Sequence, residues 1–554
     1  MNFIGQEVKH KVIRAAPGTV ILLNAPVGSG KTTFCIEDLW TSCRIQDRNL
    51  LLLVNRAALR GQLVQKVMKT QGLEGIEVEE RGYIEFDSLT IASYQYLERI
   101  FRNSLNPIDE RIGAHQVTDF SYVVCDEIHY LISDSVFSPS VTYLTHIPRA
   151  FHGAVRVYMS ATLTPVRRTL LQLENIHDCY EDHEFDLTKT LLPFRYIETG
   201  LRSRTINDPW QLERAVLELD AAEADFTYLR PVIFEESMAL EYLIIREVEQ
   251  GNTGKWLAFV ESKDEGMRVK SVLQHKGIPA AFVSSDKMEP DDAEALSNVL
   301  SEGSYKVHVM LATPVIDNGV SIVDQSVSNL VLSGFEEIQG IQQVGRIRLQ
   351  SHEQTVRLFV CRHSAEFFNR KRHSLHMKRY ALRIIQSGDQ GRIGDYLFEH
   401  GGQYVGDLAV RSPSGKFYCN YFAESSLEYY ITELADNIQR LKEDEDGFVK
   451  KVLTWFGLTY HQEDDLMRQR QNEAQDSLMK MLDDYKGKEL QDELWNQFRC
   501  EFRNLYEQAT NQHLCSGKEN RLVGVVRLKS LLPMYGYELI SRAGKVYELK
   551  RVGN

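Results

Sequence analysis

The sequence predicts an α/β protein: two parallel sheets of similar design in tandem, followed by a mainly helical C-terminal domain. Three observations carry this expectation. Short apolar runs rich in β-branched residues alternate with helical patterns, as parallel sheets with crossover helices require. The runs fall into two series of five with comparable spacing. After about residue 388 strand-like runs thin out and charged helical patterns take over.

The first series is Val20–Asn24, Asn49–Val54, Ser88–Ser93, Tyr122–Cys125 and Val155–Met159. The second is Trp256–Val260, Ala280–Val283, Val307–Ala312, Asn329–Leu332 and Val356–Val360. Between them lies a less regular stretch with Pro193, Pro209 and an acidic helical pattern over Leu212–Asp225. The predicted organisation is a first sheet domain over 1–185, a connecting segment over 186–230, a second sheet domain over 231–388 and an accessory domain over 389–554.

Composition narrows the class. The chain has 554 residues, 43% hydrophobic and 25% charged, within the range of soluble globular proteins. It holds no apolar run of membrane-spanning length, and its first residues lack the pattern of a secretory signal. Eight scattered cysteines form no CxxC pair, so a zinc ribbon is not indicated and a reducing, cytoplasmic setting is expected. The net charge of −13 argues against coating nucleic acid by bulk charge and leaves room for a local basic channel.

Two strings carry chemistry. Ala25-Pro26-Val27-Gly28-Ser29-Gly30-Lys31-Thr32 follows an apolar run and precedes a helical pattern, the setting of a P-loop. Gly28, Ser29 and Gly30 would turn backbone N–H groups toward the phosphates of ATP, with Thr33 at the end of the loop. Lys31 would reach the β- and γ-phosphates, and the Thr32 hydroxyl would ligate Mg²⁺. The second string is Tyr122-Val123-Val124-Cys125-Asp126-Glu127-Ile128-His129. Asp126 at a strand tip would hold Mg²⁺ through water, and Glu127 would orient the attacking water and accept its proton. His129 is the candidate for coupling the two sides of the cleft.

Here the chain resembles the superfamily 2 helicases of DExH-box type. Asp126-Glu127-Ile128-His129 has the DExH form, Ser160-Ala161-Thr162 looks like the third motif, and Thr90–Gln95 is similar to the motif before the acidic strand. In the second series, Ala312–Ile322 resembles motif V and Gln342-Gln343-Val344-Gly345-Arg346-Ile347-Arg348 resembles motif VI. The resemblance implies two tandem RecA-like domains closing over one ATP. It implies nucleic-acid contacts at Asn55, Arg56, Ser93 and Thr313, nucleotide contact at Gly319, and coupling through His129, Ser160, Thr162 and Asp317. Gln6, upstream of the P-loop, stands where many members read the adenine edge. Gln342, Arg346 and Arg348 would complete the catalytic set from the second domain, since an arginine finger neutralises transition-state charge.

One departure concerns motif VI. The family spacing places a final arginine at the position of Leu349, and this chain has Arg348 instead. A Gln-x-x-Gly-Arg-x-Arg form is found among viral origin-binding helicases. The departure leaves open which arginine is the finger. Arg346 is expected at the γ-phosphate, with Arg348 as its partner.

In the C-terminal third, Arg370-Lys371-Arg372-His373 with Lys378, Arg379 and Arg383 makes a basic helical stretch that would line a nucleic-acid track or face solvent. The pairs Phe417-Tyr418, Tyr421-Phe422 and Tyr429-Tyr430 are expected in a core. Glu443–Asp446 is expected as a solvated turn. A helical pattern over Arg521–Leu532 and a hairpin pattern around Ala543-Gly544 would form a small capping or winged-helix-like element, with Arg542 and Lys545 at the wing. The expected function is an ATP-driven helicase or translocase acting on nucleic acid, DNA in preference to RNA. The alternatives are a DExH RNA helicase and a nucleic-acid-gated ATPase switch that never unwinds.

Overall fold

The computed structural model describes all residues except 1–3, 56–62, 65–66, 69–81, 103, 105, 136–137, 175–215, 222–224, 285–287, 314–320, 350–353, 402–403, 412–416, 511–513, 515–521, 543–545 and 553–554. Arg56, Asp317, Gly319, Lys545 and most of the connecting segment lie outside the described residues.

The first sheet contains β1 (Val20–Asn24), β2 (Asn49–Val54), β3 (Tyr83–Phe86) and β4 (Leu89–Ser93). After a small hairpin of β5 (Arg111–Ile112) and β6 (His115–Gln116), it continues with β7 (Phe120–Cys125), β8 (Val155–Ser160) and β9 (Val216–Asp220). The order is β3-β4-β2-β7-β8-β1-β9, parallel throughout except for β3 at the edge. Successive side chains of a strand point to opposite faces. Val20 and Leu22 accordingly enter one core and Ile21 and Leu23 the other. Leu51 and Leu53 likewise part from Leu50 and Leu52. Both faces are buried, which is why these strands read as unbroken apolar runs rather than alternations.

The pattern over Leu212–Asp225 does not form the expected helix where it is described. Val216–Asp220 is a strand that pairs with β1 in register Val20↔Val216 to Asn24↔Asp220. An edge strand with one face toward solvent alternates apolar and acidic residues. Over five positions that alternation is easily taken for helical amphipathicity.

The second parallel array comprises β11 (Lys255–Phe259), β12 (Ala280–Val283), β13 (Val309–Ala312), β14 (Val327–Val331) and β15 (Val356–Arg362), in the order β15-β14-β11-β13-β12. All ten expected strands are present, with shifts of a few residues at their ends. The main compact unit holds both sheets and runs on to Thr459. Its last part contains the helices Ala365–Gln386, Ala423–Glu443 and Gly447–Thr454, with a short hairpin of β16 (Ala409–Arg411) and β17 (Phe417–Cys419). Phe422 is fully buried, as expected for a core aromatic, whereas Tyr418 is exposed. Asp446 is buried and paired with Arg362 at 2.5 Å, so the acidic turn is not wholly solvated.

A second compact unit consists of Pro231–Glu235, most of β10 (Leu229–Glu235), together with Tyr460–Asn554. It holds the helices Leu466–Tyr485, Asp492–Thr510 and Val525–Leu531 and a three-stranded sheet. The strands are β18 (Glu489–Leu490), β19 (Tyr537–Arg542) and β20 (Val546–Arg551), in the order β18-β20-β19. The expected helix and hairpin are there. Arg542 is paired with Glu489 at 3.0 Å and with Glu548, so it is not a free cation at a wing.

Two ionisable residues are buried near the first sheet. Arg156 on β8 is fully buried and meets Glu174 at 2.7 and 3.0 Å while donating to the carbonyls of Phe151 and Ala154, both at 2.9 Å. Glu98 is also buried, but its oxygen is met by a neutral donor, the Tyr130 hydroxyl at 2.9 Å. Burial pushes the Glu98 carboxyl up to about 7 against that hydrogen bond, and Asp134 adds to the rise. A carboxyl raised in this way binds its proton more tightly folded than unfolded. Its contribution is therefore greatest below about pH 4.5 and is lost as pH climbs toward 7. Glu98→Gln removes this dependence. Melting curves from pH 5 to 8 should show the variant gaining on wild type by on the order of 1–3 kcal/mol, and a constant difference would refute the assignment.

Candidate functional site

The loop after β1 is built on two left-handed glycines, Gly28 at φ +85° and Gly30 at φ +81°, a region that side chains with a Cβ rarely adopt. The helix that follows starts as Lys31–Thr33, widens into a π turn over Phe34–Leu39 and resumes as Trp40–Ile45. Lys31 is buried, with Nζ 3.0 Å from the Ala25 carbonyl and 3.0 Å from Glu127 Oε1. Ser29 is buried and its Oγ has no hydrogen-bond partner among the described residues. A buried hydroxyl without a partner beside two left-handed glycines and a lysine fits an anionic group such as phosphate. Thr32 and Thr33 are half-buried on the first helical turn.

The acidic pair sits where β7 leaves the sheet. Asp126 N still donates to Leu53 O of β2 at 2.9 Å, and Ile128 N donates to Met159 O of β8 at 3.0 Å. Glu127, between them, is forced into a left-handed conformation with φ +50°. Such backbone strain is characteristic of functional sites. It aims the Glu127 carboxylate back at Lys31. The Tyr94 hydroxyl holds the Asp126 carbonyl at 2.8 Å, and Glu127 N donates to Asp126 Oδ1 at 3.0 Å. Burial and the adjacent Glu127 carboxylate raise the Asp126 carboxyl above its ordinary range. Burial acts on Glu127 in the same sense, but the charges of Lys31 and His129 outweigh it and hold Glu127 below the usual carboxylate range.

His129 is fully enclosed. Its Nδ1 lies 3.0 Å from Ser160 Oγ and 3.4 Å from Glu127 Oε2. Ser160 Oγ accepts from Thr162 N at 3.0 Å and lies 3.3 Å from Thr162 Oγ1. The acidic pair is thus joined to the end of β8, just before the Thr164–Leu173 helix.

The second sheet supplies the facing wall. Gln342, on the Glu337–Val344 helix, donates to Glu127 Oε2 at 3.4 Å. Arg346 is buried and donates to Gln342 Oε1 at 2.7 Å and to the Gln342 carbonyl at 2.8 Å. Past the helix the chain turns and Ile347 pairs with Ile322: Ile322 N donates to Arg346 O and Arg348 N to Ile322 O, both at 2.8 Å. Arg346 and Arg348 thus flank the buried Ile347. A Cβ built on Gly28 would stand 3.0 Å from Arg348 Nη1, so this guanidinium lies against the P-loop. Gly345 packs on Val27, with no room for a Cβ. Arg348 also donates to Ser321 Oγ at 3.5 Å.

The expected residues thus divide. Lys31, Asp126, Glu127, His129, Ser160, Thr162, Gln342, Arg346 and Arg348 converge, with Gly28 and Ser29 beside them. Gln6 is exposed at the start of the Gln6–Ile13 helix, and the nearby Ile4 N donates to Ser29 O at 3.0 Å. Asn55 is buried, its Oδ1 accepting from Gln95 Nε2 at 3.3 Å. Ser93 Oγ accepts from Tyr96 N at 3.1 Å, which occupies it in the first turn of the Tyr94–Arg102 helix. Thr313 is buried at the end of β13, its hydroxyl without a partner among the described residues. Sequence reasoning passed over Tyr94, Val27 and Ser321. All three stand inside quoted motifs, but nothing in those strings assigns them a role.

Residues 7–165 match the family model of the type III restriction enzyme res subunit (ResIII), a span that takes in the P-loop, the DExH string and the Ser160–Thr162 motif. A protein of Sulfolobus islandicus filamentous virus (isolate Iceland/Hveragerdi), named "Putative helicase 22", is 25% identical over 346 residues, or 59% of this chain. The match takes in 57% of that protein's length. Among solved structures, S. cerevisiae Dbp5 bound to RNA and ADP BeF3 aligns with a TM-score of 0.44 and 14% identity, over 70% of this chain and 87% of that one. Mycobacterium smegmatis helicase Lhr bound to ssDNA and AMP-PNP aligns with a TM-score of 0.42 and 14% identity, over 78% and 54%. The two parallel sheets follow one another along the chain in the arrangement expected of two tandem RecA-like domains. The sheet orders and the motifs at their strand ends carry that statement.

Proposed function

We propose that this chain is an ATP-driven helicase or translocase that acts on nucleic acid, DNA in preference to RNA. The carrying observation is the convergence of Arg346 and Arg348 from the second sheet on Lys31, Glu127 and the P-loop of the first. Two halves that share one phosphate site are drawn together when it is filled and part when it empties.

ATP would lie between the sheets with its phosphates on the loop from Gly28 to Thr33. Mg²⁺ would be held by Thr32 and, through water, by Asp126, and would offset charge on the phosphate oxygens. The phosphate would compete with Glu127 for Lys31, leaving the Glu127 carboxylate to orient the attacking water. His129, Ser160 and Thr162 would relay the change to the end of β8. The proximity of Arg348 to Gly28 supports giving it a share of the phosphate contact beside Arg346. Gln6 would read the adenine, and Asn55, Arg56, Ser93 and Thr313 would meet the strand, with Asp317 and Gly319 serving the second domain.

The basic stretch adds a candidate track. Arg370, Lys371 and Lys378 are paired with Glu366, Glu261 and Asp407. Arg372, His376, Arg379 and Arg383 recur at helical spacing on the Ala365–Gln386 helix. Burial and the neighbouring Arg379, Arg372 and His373 all lower the pKa of His376, a sign of crowded positive charge. Such a face attracts phosphate backbone. The DNA preference rests on the motif VI form, which resembles that of DNA-acting branches.

Steady-state ATP hydrolysis at one fixed salt concentration tests the reading, with no polymer and then with single-stranded DNA, duplex DNA and RNA. Stimulation of tenfold or so by DNA is the expected result, followed by strand displacement on a partial duplex. Stimulation by RNA alone would replace DNA as the track. Hydrolysis indifferent to every polymer would replace the motor with a partner-gated switch.

A further inference from the structure

The Glu337–Val344 helix begins far from the P-loop and ends at the arginines, so whatever grips its start also sets their position. Its N-cap is Glu336, whose carboxylate accepts from Ile338 N at 2.8 Å and Gln339 N at 3.0 Å. That carboxylate is buried and accepts a further hydrogen bond, at 3.2 Å, from the Tyr429 hydroxyl on the Ala423–Glu443 helix. Two turns further along the same helix, Asn437 Nδ2 donates to the Phe335 carbonyl at 3.1 Å. The other end of this helix meets the first sheet domain just after the DExH string. Ser426 Oγ donates to the Ile132 carbonyl at 2.5 Å, and Asn420 Nδ2 to the Ser135 carbonyl at 2.7 Å.

One rigid element therefore holds both halves of the site. Lys451, on the following Gly447–Thr454 helix, locks it further by reaching Glu433 and Asn437, each at 2.8 Å. The residue after that helix, Trp455, packs against Gly340 so closely that a Cβ there would stand 2.8 Å from the ring.

We propose that the Ala423–Glu443 helix is a positioning strap for the arginine pair, with Tyr429 and Asn437 as its positioning residues on the second sheet domain and Asn420 and Ser426 as its anchorage on the first. The inference rests on the proposed ATPase reading and deepens it, assigning part of the site's geometry to a segment beyond both sheets. A helix moves as a rod, so a loosened start displaces Gln342, Arg346 and Arg348 together. Displacements of about 1 Å at a reacting centre can cost on the order of 10²-fold in rate. Among the described residues the strap's hydrogen bonds and ion pairs go elsewhere than the P-loop, so it would act on turnover and leave ATP binding alone.

The test uses the full chain with Tyr429→Phe, which keeps the ring and removes one hydroxyl, and Asn437→Ala, alone and combined. The expected result is a fall in kcat of about 5–20-fold for the pair, with KM for ATP changed less than about twofold and the melting temperature nearly held. A role through the arginine helix also predicts non-additivity. In an Arg346→Ala background, Tyr429→Phe should lower the residual rate no further. Unchanged kcat in the combined variant overturns the proposal. So does an equal fractional loss in the Arg346→Ala background, or a loss of rate that follows the melting temperature. A second variant, Ser426→Ala, loosens the opposite anchorage and should lower kcat with the same signature. Absence of any ATP turnover in the wild-type chain would instead count against the proposed function, and it is read before any variant is made.

Discussion

Alanine at both Arg346 and Arg348 should lower ATP turnover by about 10³–10⁵-fold while leaving nucleotide binding largely in place. The P-loop itself would carry most of the phosphate contact, so binding should largely survive their loss, whereas transition-state charge on the transferred phosphoryl group would not be offset. The chain at both arginines is pinned to Ile322 on either side of Ile347. The single variants should differ in kind. Arg348 lies on Gly28 and its loss should fall on the phosphate contact. Arg346 is bonded to Gln342, which in turn reaches Glu127, so its loss should also disturb the placement of the attacking water. Single-turnover and steady-state rates measure both. A double variant that kept a tenth of the wild-type rate would remove these residues from the catalytic set.

Glu127→Gln and Lys31→Ala should separate turnover from binding. The amide keeps the shape of Glu127 and its contact with Gln342 but accepts no proton, so hydrolysis should fall by about 10²–10⁴-fold with nucleotide still bound. Lys31→Ala removes the cation that neutralises both Glu127 and an incoming phosphate. It should weaken binding of a fluorescent ATP analogue, and it leaves the buried Glu127 carboxylate without its 3.0 Å partner. Loss of one partner from a buried pair typically costs about 3–5 kcal/mol, so thermal stability should drop as well. If Glu127→Gln hydrolysed ATP at the normal rate, the base would have to be sought elsewhere.

The parallel strands were legible because burial on both faces makes them continuous apolar runs, with chemistry placed at their carboxyl ends. The P-loop, the acidic pair and Ser160–Thr162 are each short, contiguous strings at such ends. Within the first sheet, two strands escaped this reading. The edge strand Val216–Asp220 has only one buried face, and its partner β1 lies far away in sequence. The antiparallel strand Tyr83–Phe86 is short and half-buried. Within the site, the individual residues of motif VI could be named, but the pairing of Ile347 with Ile322 that pins the chain at Arg346 and Arg348 could not. The grip of Tyr429 on Glu336 joins residues 93 positions apart with no local pattern to announce it. What stayed hidden was long-range pairing, which no local window contains.

The π turn over Phe34–Leu39 also bears on how this chain is compared with others. A wide turn takes up more residues than an α turn over the same length of axis, and such turns are often found at functional sites. Beyond it, the face presented by Trp40, Cys43 and Arg44 is rotated relative to an unbroken helix. Superposing this segment on a relative without the wide turn will keep Lys31 and Thr32 in step. It will then carry each later position onto a neighbouring face, unless a one-residue gap is opened between Phe34 and Leu39.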